Sequence, residues 1–131
     1  MRDKVRYVVF EVITHSHSRI GFEELSSAVM ESSLQLLGTL SLAKARIRVM
    51  PENYDDKRLI GIIKVNRKYL NHLRTAIALI KEINNKKVTL RTRVVTGTLK
   101  KAKSYISEKK DKTKDKMVSK NNKSTIKNKK Q

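Results

Sequence analysis

Residues 44–65, KARIRVMPENYDDKRLIGIIKV, decide the fold, because they have the pattern of two β-strands joined by a turn. Between residues 44 and 50, basic side chains alternate with small or apolar ones, which is the two-residue period of a strand. Residues 51–56, PENYDD, are typical of a turn, and residues 57–65 are rich in β-branched side chains. We therefore predict a β-hairpin at this point.

Working outward from the hairpin, apolar periodicity predicts further elements on both sides. In chain order they are a strand at 7–13, a helix that begins at Gly21, a helix at 66–83, a strand at 87–95 and a short helix at 99–108. The apolar stripe of the first helix extends to Leu40, and Gly38 either ends or kinks this helix. The order β-α-β-β-α-β predicts an α+β, ferredoxin-like fold, the topology that RNA-recognition motifs (RRM-like domains) share. The prediction is a four-stranded antiparallel sheet with both long helices on one face, followed by a C-terminal helix.

The chain is strongly basic, and the charge divides it into two parts. Its 131 residues contain 31 Lys and Arg against 12 Asp and Glu, a net charge of +19. Residues 1–108 hold 21 basic and 10 acidic side chains, net +11, and have the composition of one folded domain. Residues 109–131 hold 10 Lys and 2 Asp and few apolar residues, so we predict a Lys-rich disordered tail. The tail is either an arm that follows RNA phosphates or a solubilising extension.

Composition also excludes several classes of protein. No cysteine is present, so disulfides, thiol nucleophiles and zinc–thiolate sites are excluded. No apolar run is long enough to span a bilayer, and the first residues lack a signal-peptide core, so we expect a cytoplasmic protein without a membrane partner. No glycine-rich phosphate loop occurs, and His15 and His17 are most simply polar loop residues. We therefore predict no catalytic residues, no metal site and no bound cofactor in this chain.

The strand alternation suggests how such a domain would bind a polyanion. Basic side chains fall on the outward positions of the second, third and fourth predicted strands and on one exposed helix face. These residues are Lys44, Arg46, Arg48, Lys64, Arg91 and Arg93 on the strands and Arg67 on the helix. They would contact phosphates, which gives affinity and salt dependence but little sequence specificity.

The centre of the same sheet face is aliphatic. RNA-recognition motifs stack bases on aromatic side chains at the third strand, but Ile60 and Ile62 occupy those places here. With Tyr7 and Val9 on the first strand they form an apolar patch suited to a protein partner. The alternative is that the helix at 99–108 folds back and covers the patch.

Three segments resemble the ribonuclease P protein component 2 family, the archaeal and eukaryotic Pop-five type. They are RYVVFEV at 6–12, GIIKVNRKY at 61–69 with the helix that follows it, and VTGTLKKA at 95–102. Because they occur in order and with matching spacing, the resemblance covers about residues 5–106. It identifies residues 1–108 as an RRM-like ribonuclease P subunit domain.

The resemblance implies a role in removing the 5′ leader of precursor tRNA. In this family the RNA subunit is the catalyst and uses Mg²⁺, while the protein pairs with a larger barrel-fold subunit, sometimes as a two-plus-two assembly with the small subunits in contact. The expected partners are therefore the ribonuclease P RNA, the barrel-fold subunit and precursor tRNA. The basic residues above, together with Lys100, Lys101 and Lys103, would reduce repulsion between RNA phosphates.

Three rival interpretations remain open at this point. A ribosomal or RNA-chaperone protein of the same topology has an equally suitable composition, and only the three segments argue against it. A small-molecule-sensing domain of this fold should be near neutral, unlike residues 1–108. An intrinsic nuclease would cleave without the RNA subunit.

Overall fold

The computed structural model describes residues 4–15 and 19–107, in which strands and helices form a curled antiparallel sheet with helices on both faces. The elements are β1 (Val5–Thr14), α1 (Phe22–Ala45), β2 (Arg48–Val49), β3 (Ile60–Asn66), α2 (Leu70–Ala78), β4 (Glu82–Ile83), β5 (Lys86–Thr96) and α3 (99–107). Short 3₁₀ turns lie at Pro51–Asn53 and Arg67–Tyr69. The tail at 109–131 and the His17 part of the histidine motif lie outside the described residues, so the division at residue 108 stays a prediction.

Across the described residues the sheet has five strands in the order β2-β3-β1-β5-β4, and every pairing is antiparallel. The α+β class and the antiparallel sheet are confirmed, but the predicted count of four strands is wrong. The reason is the Asn84–Asn85 pair, which the sequence suggests as the end of the second helix. Both residues have positive φ, 51° and 64°, and form the tight turn between β4 and β5. The second helix ends earlier than predicted, at Ala78, and Glu82–Ile83 form β4.

The second predicted strand is also mostly wrong. Of the predicted residues only Arg48–Val49 form a strand, because α1 continues beyond Gly38 to Ala45 across a kink. Lys44 therefore lies in the last helical turn, and Arg46 caps the helix with a left-handed backbone at φ 51° and ψ 45°. The alternation of buried and exposed residues predicted for this stretch nevertheless holds, since Ala45, Ile47 and Val49 are buried.

The main core lies between the sheet and the helices α1 and α2. From β1 and β3 it receives Val8, Phe10, Ile63 and Val65, and from the helices it receives residues such as Leu25. Each fully buried side chain of this size contributes roughly 1.5–3 kcal/mol relative to an exposed one. This core fixes which face of each strand points away from α1 and α2.

The opposite sheet face is covered by α3, so the expectation of an open aliphatic patch is wrong. Ala102 is buried against Val9, Ile60 and Ile62, which are at most 3% exposed. Tyr7, at the edge of the same cluster, keeps partial exposure. The alternative, in which the last helix folds back over the patch, is the arrangement that the structure shows.

A β-bulge changes the faces of β5. The β1–β5 register shifts between Val9 and Phe10, so that Val9 pairs with Val94 while Phe10 pairs with Thr92. Arg93 is the extra residue. Strict alternation predicts that Val95 shares a face with Arg91, but after the bulge Val95 instead packs against the main core.

Candidate nucleic-acid interface

A row of polar side chains crosses one end of the α3-covered sheet face. Arg48 on β2 pairs with Lys64 on β3, and Lys64 pairs with Tyr7 on β1. Directly paired residues of antiparallel strands project from the same face with Cβ atoms about 4.5–5.5 Å apart. Arg48 is exposed, while Lys64 and Tyr7 are partly exposed. Two cations and one tyrosine thus stand side by side next to the start of α3.

Arg91 and Arg93 lie further along the sheet and share one carboxylate. An Nη1 atom of Arg93 donates to Oε1 of Glu11 at 3.0 Å, and Nε of Arg91 lies 4.0 Å from the same oxygen. Hydrogen bonding with Tyr105 of α3, together with the Glu11 carboxylate, raises the pKa of the Arg93 guanidinium. The Arg93 side chain is 25% exposed, against 57% for Arg91. Arg91 is therefore the more accessible of the two for a phosphate.

The predicted lysines of α3 form an exposed group on the outer side of that helix. Leu99, Ala102 and Ile106 face the sheet, which leaves Lys100, Lys101 and Lys103 exposed. Because α3 crosses the sheet face, these lysines lie over Val9, Ile60 and Ile62, whereas the sequence predicts basic residues around an open aliphatic centre. The face therefore presents the basic outer side of α3 in place of an aliphatic centre.

The other predicted residues gather at the junction of α1 with the turn that precedes α2. Lys44 and Arg46 from the end of α1 line a cleft of about 450 Å³, and Lys68 stands on the opposite wall. Arg67, next to Lys68, is exposed. The remaining lining residues are Leu40, Ala43, Asn66 and Tyr69.

Sequence reasoning missed Lys68, Tyr69 and Leu40 as site residues. Tyr69 flanks the apolar stripe of the predicted second helix, and Leu40 belongs to the stripe of the first, so periodicity assigns both to the core. Leu40 is instead 71% exposed, a large apolar side chain in water beside three cations. That exposure becomes visible only when α1 and α2 are placed together.

Within the described residues no group of three or more His, Cys, Asp or Glu side chains could hold a metal ion. In the same part of the chain, no helix is long and apolar enough to cross a membrane.

Comparison with known proteins gives a consistent family. The model of the Rpp14/Pop5 family matches residues 6–107. "Ribonuclease P protein component 2" of Pyrococcus abyssi is 39% identical over 103 residues, which are 79% of this chain and 84% of that protein. The protein of the same name from Thermococcus kodakarensis is 40% identical over 79% of this chain and 82% of its own length. The one from Saccharolobus solfataricus is 36% identical over 77% of this chain and 68% of its own length.

A solved structure shares the fold at very low sequence identity. A chain in the cryo-EM structure of yeast ribonuclease MRP superimposes with a TM-score of 0.60 and 8% identity. The match covers 90% of this chain and 97% of that one. At this identity the likeness concerns the fold alone.

Proposed function

The chain belongs to the Rpp14/Pop5 family, and from this premise we propose that it is a protein subunit of ribonuclease P, the endoribonuclease that removes the 5′ leader of precursor tRNA. The observation that carries the proposal is the 39–40% identity to ribonuclease P proteins over four-fifths of the chain. The basic surface is what such a subunit needs, because it would lie against RNA.

We propose that this chain acts electrostatically and that the RNA subunit performs the cleavage. Folding a catalytic RNA and docking a tRNA bring phosphates close together, and Mg²⁺ held by the RNA offsets part of the repulsion. Fixed side chains do the same work without the entropy cost of localising ions. The residues proposed to do so are Arg46 and Lys68 at the cleft, Arg48 on the edge strand β2, its neighbour Lys64 on β3, and Arg91 on β5.

Protein partners are part of the same proposal. The barrel-fold subunit and a two-plus-two assembly are expected from the family, with Tyr7 the accessible member of the predicted contact set. Val9, Ile60 and Ile62 are buried beneath α3, so a partner reaches them only if α3 moves aside.

Reconstitution tests the function directly. Precursor tRNA cleavage is measured with the RNA subunit and the other protein subunits, with and without this chain, at limiting Mg²⁺. We expect the chain to raise the cleavage rate and to lower the Mg²⁺ needed for half-maximal rate. Equal rates with and without the chain would refute the proposal, and cleavage that persists without the RNA subunit would show an intrinsic nuclease.

Binding preference separates this function from the rival of the same topology. The tagged full-length chain is incubated with an equimolar mixture of ribonuclease P RNA and ribosomal RNA fragments. Enrichment of ribonuclease P RNA is the expected result, and preferential recovery of ribosomal RNA would favour the ribosomal or chaperone alternative.

A further inference from the structure

The cleft between the end of α1 and the start of α2 (the α1–α2 cleft) has a shape and a lining that phosphate neutralisation alone does not explain. Phosphates of a duplex need only exposed cations, and no cavity, on the protein surface. This cleft is concave, with a volume of about 450 Å³, within the range of small-molecule sites. Its lining combines three cations with the apolar groups of Leu40, Ala43 and Tyr69.

Gly38 creates the first wall of the cleft. Its backbone, at φ 77° and ψ 168°, lies in a region that is essentially restricted to glycine, and it interrupts α1. The final turns of the helix, which carry Leu40, Ala43 and Lys44, are thereby redirected relative to the turns before the kink. Without the break, an ideal helix would carry these side chains to other positions.

Asn66 joins the first wall to the second. Its side chain is only 4% exposed, donates from Nδ2 to the carbonyl oxygen of Lys44 at 3.4 Å and accepts from the backbone N–H of Lys68 at 3.1 Å. One buried amide therefore holds the end of α1 and the turn before α2 at a set separation. Asn66 is a positioning residue for the cleft.

The second wall presents an aromatic ring. Tyr69 packs partly against the core, and its ring centroid lies 5.6 Å from that of His72 at an interplanar angle of 52°. Tyr69 faces the same cleft as Leu40, which is the more exposed of the two. The cleft thus offers apolar walls to a flat group and cations to an anion attached to that group.

We propose that the α1–α2 cleft binds one unpaired nucleotide of an RNA strand, with the base against Leu40 and Tyr69 and the adjoining phosphate held by Lys44, Arg46 and Lys68. The inference rests on the proposed function, since it assumes that RNA is the partner. It adds that this chain distinguishes an unpaired base from a bare backbone. Asp and Glu carboxylates of an acidic protein segment would satisfy the cations, but their side chains carry no flat group for the walls, whereas a nucleotide carries the base and the anion in one unit.

The test compares two labelled RNA probes on the full-length chain by fluorescence anisotropy. One probe is an eight-nucleotide oligouridylate, and the other has the same ribose–phosphate backbone without bases. Base contacts with aromatic side chains in single-strand sites are substantial, so we expect the intact probe to bind about tenfold more tightly. Equal affinities for the two probes would overturn the cleft proposal while leaving phosphate binding, and hence the proposed function, intact. If neither probe binds and the chain has no effect on reconstituted cleavage, the cleft proposal and the proposed function are both overturned.

Substitutions assign the discrimination to the cleft. The Leu40→Ala/Tyr69→Ala variant should lose the preference for the intact probe, and Tyr69→Phe should keep it. Lys44→Ala/Lys68→Ala should weaken binding of both probes and leave their ratio unchanged. Leu79→Ala is the matched control, because Leu79 is 56% exposed on another part of the surface and should change neither value. Full preference for the intact probe in the Leu40→Ala/Tyr69→Ala variant would show that the cleft does not hold a base.

Discussion

Tyr54 shows how one residue joins distant parts of this fold. Its hydroxyl donates to the carbonyl oxygen of Ile20 at 2.7 Å, and its ring stacks on Phe10 with centroids 6.3 Å apart. Gly61 lies against both rings, because a Cβ atom there would be 2.9 Å from atoms of Phe10 and Tyr54. The glycine in the middle of β3 is therefore required by packing, and larger side chains at this position would displace Tyr54.

The titration of Tyr54 gives a pH-dependent prediction. Burial, followed by the Asp56 and Asp55 carboxylates, raises the pKa of Tyr54 to about 12 from 10.0. A raised pKa means that the folded state favours the neutral phenol, so this contribution to stability is complete below pH 10 and declines as the pH rises toward 12. We expect Tyr54→Phe to lose about 1 kcal/mol at pH 8 through the missing hydrogen bond, and less at pH 11.

Urea unfolding of both proteins at pH 8 and pH 11 measures this difference. The informative quantity is the difference between wild type and Tyr54→Phe, since the effect of pH on the rest of the chain is common to both proteins. A wild-type advantage that stays constant or grows with pH would contradict the prediction.

At the scale of the element, α3 is a short helix whose position depends on a few contacts. Thr98 begins it, with its side-chain oxygen accepting from the backbone N–H of Lys101 at 3.2 Å. Ala102 is fully buried against the sheet, while Ser104 is exposed. The small side chain at 102 lets the helix approach Val9 and Ile62 closely, and the resulting layer removes the aliphatic face from water.

Substituting the buried and the exposed position of α3 tests this arrangement. Ala102→Asp would place a charge against the aliphatic layer, so we expect α3 to detach and the free energy of unfolding to fall by about 2–4 kcal/mol. A dye that reports exposed apolar surface should bind more strongly to this variant. Ser104→Asp carries the same change of charge on the same helix and should leave both measurements near wild type. Equal effects of the two substitutions would show that α3 does not cover the sheet.

At the scale of the whole molecule, the basic side chains differ in whether a nearby carboxylate of the protein neutralises part of their charge. Arg46 and Arg48 are exposed at the α1–β2 junction, with Lys44, Lys64 and Lys68 nearby. Arg91 and Arg93 instead share the Glu11 carboxylate. Phosphates should therefore experience a stronger field at the junction than along β5.

Reconstituted cleavage should reflect this difference. We expect Arg46→Ala/Arg48→Ala to raise the Mg²⁺ needed for half-maximal cleavage by about twofold or more, and Arg91→Ala/Arg93→Ala to raise it less. The quadruple variant should have the largest requirement. Arg74→Ala/Lys81→Ala removes the same charge from two other exposed positions and serves as the control. An unchanged Mg²⁺ requirement in the quadruple variant, or an equal effect of the control, would contradict the electrostatic role.

Much of the fold follows from local patterns, and the errors have specific physical causes. Alternation correctly separates Ile63 from Ile62 on β3, because successive strand residues point to opposite faces. It fails at Val95, since a bulge adds one residue to β5. At Lys44 the alternation of burial holds but the element type is wrong, because helix and strand compete for a sequence compatible with both.

The sequence by itself determined most of the element types, the separation of charge along the chain and the family, because these depend on composition and on short-range periodicity. Only the tertiary structure decided that α3 covers the aliphatic face, that Glu11 engages Arg91 and Arg93, and that Leu40 and Tyr69 meet three cations in one cleft. Each of these features joins residues far apart in the chain. Periodicity reports which residues share a face of one element, whereas the packing of several elements decides which faces are covered and which are left to bind.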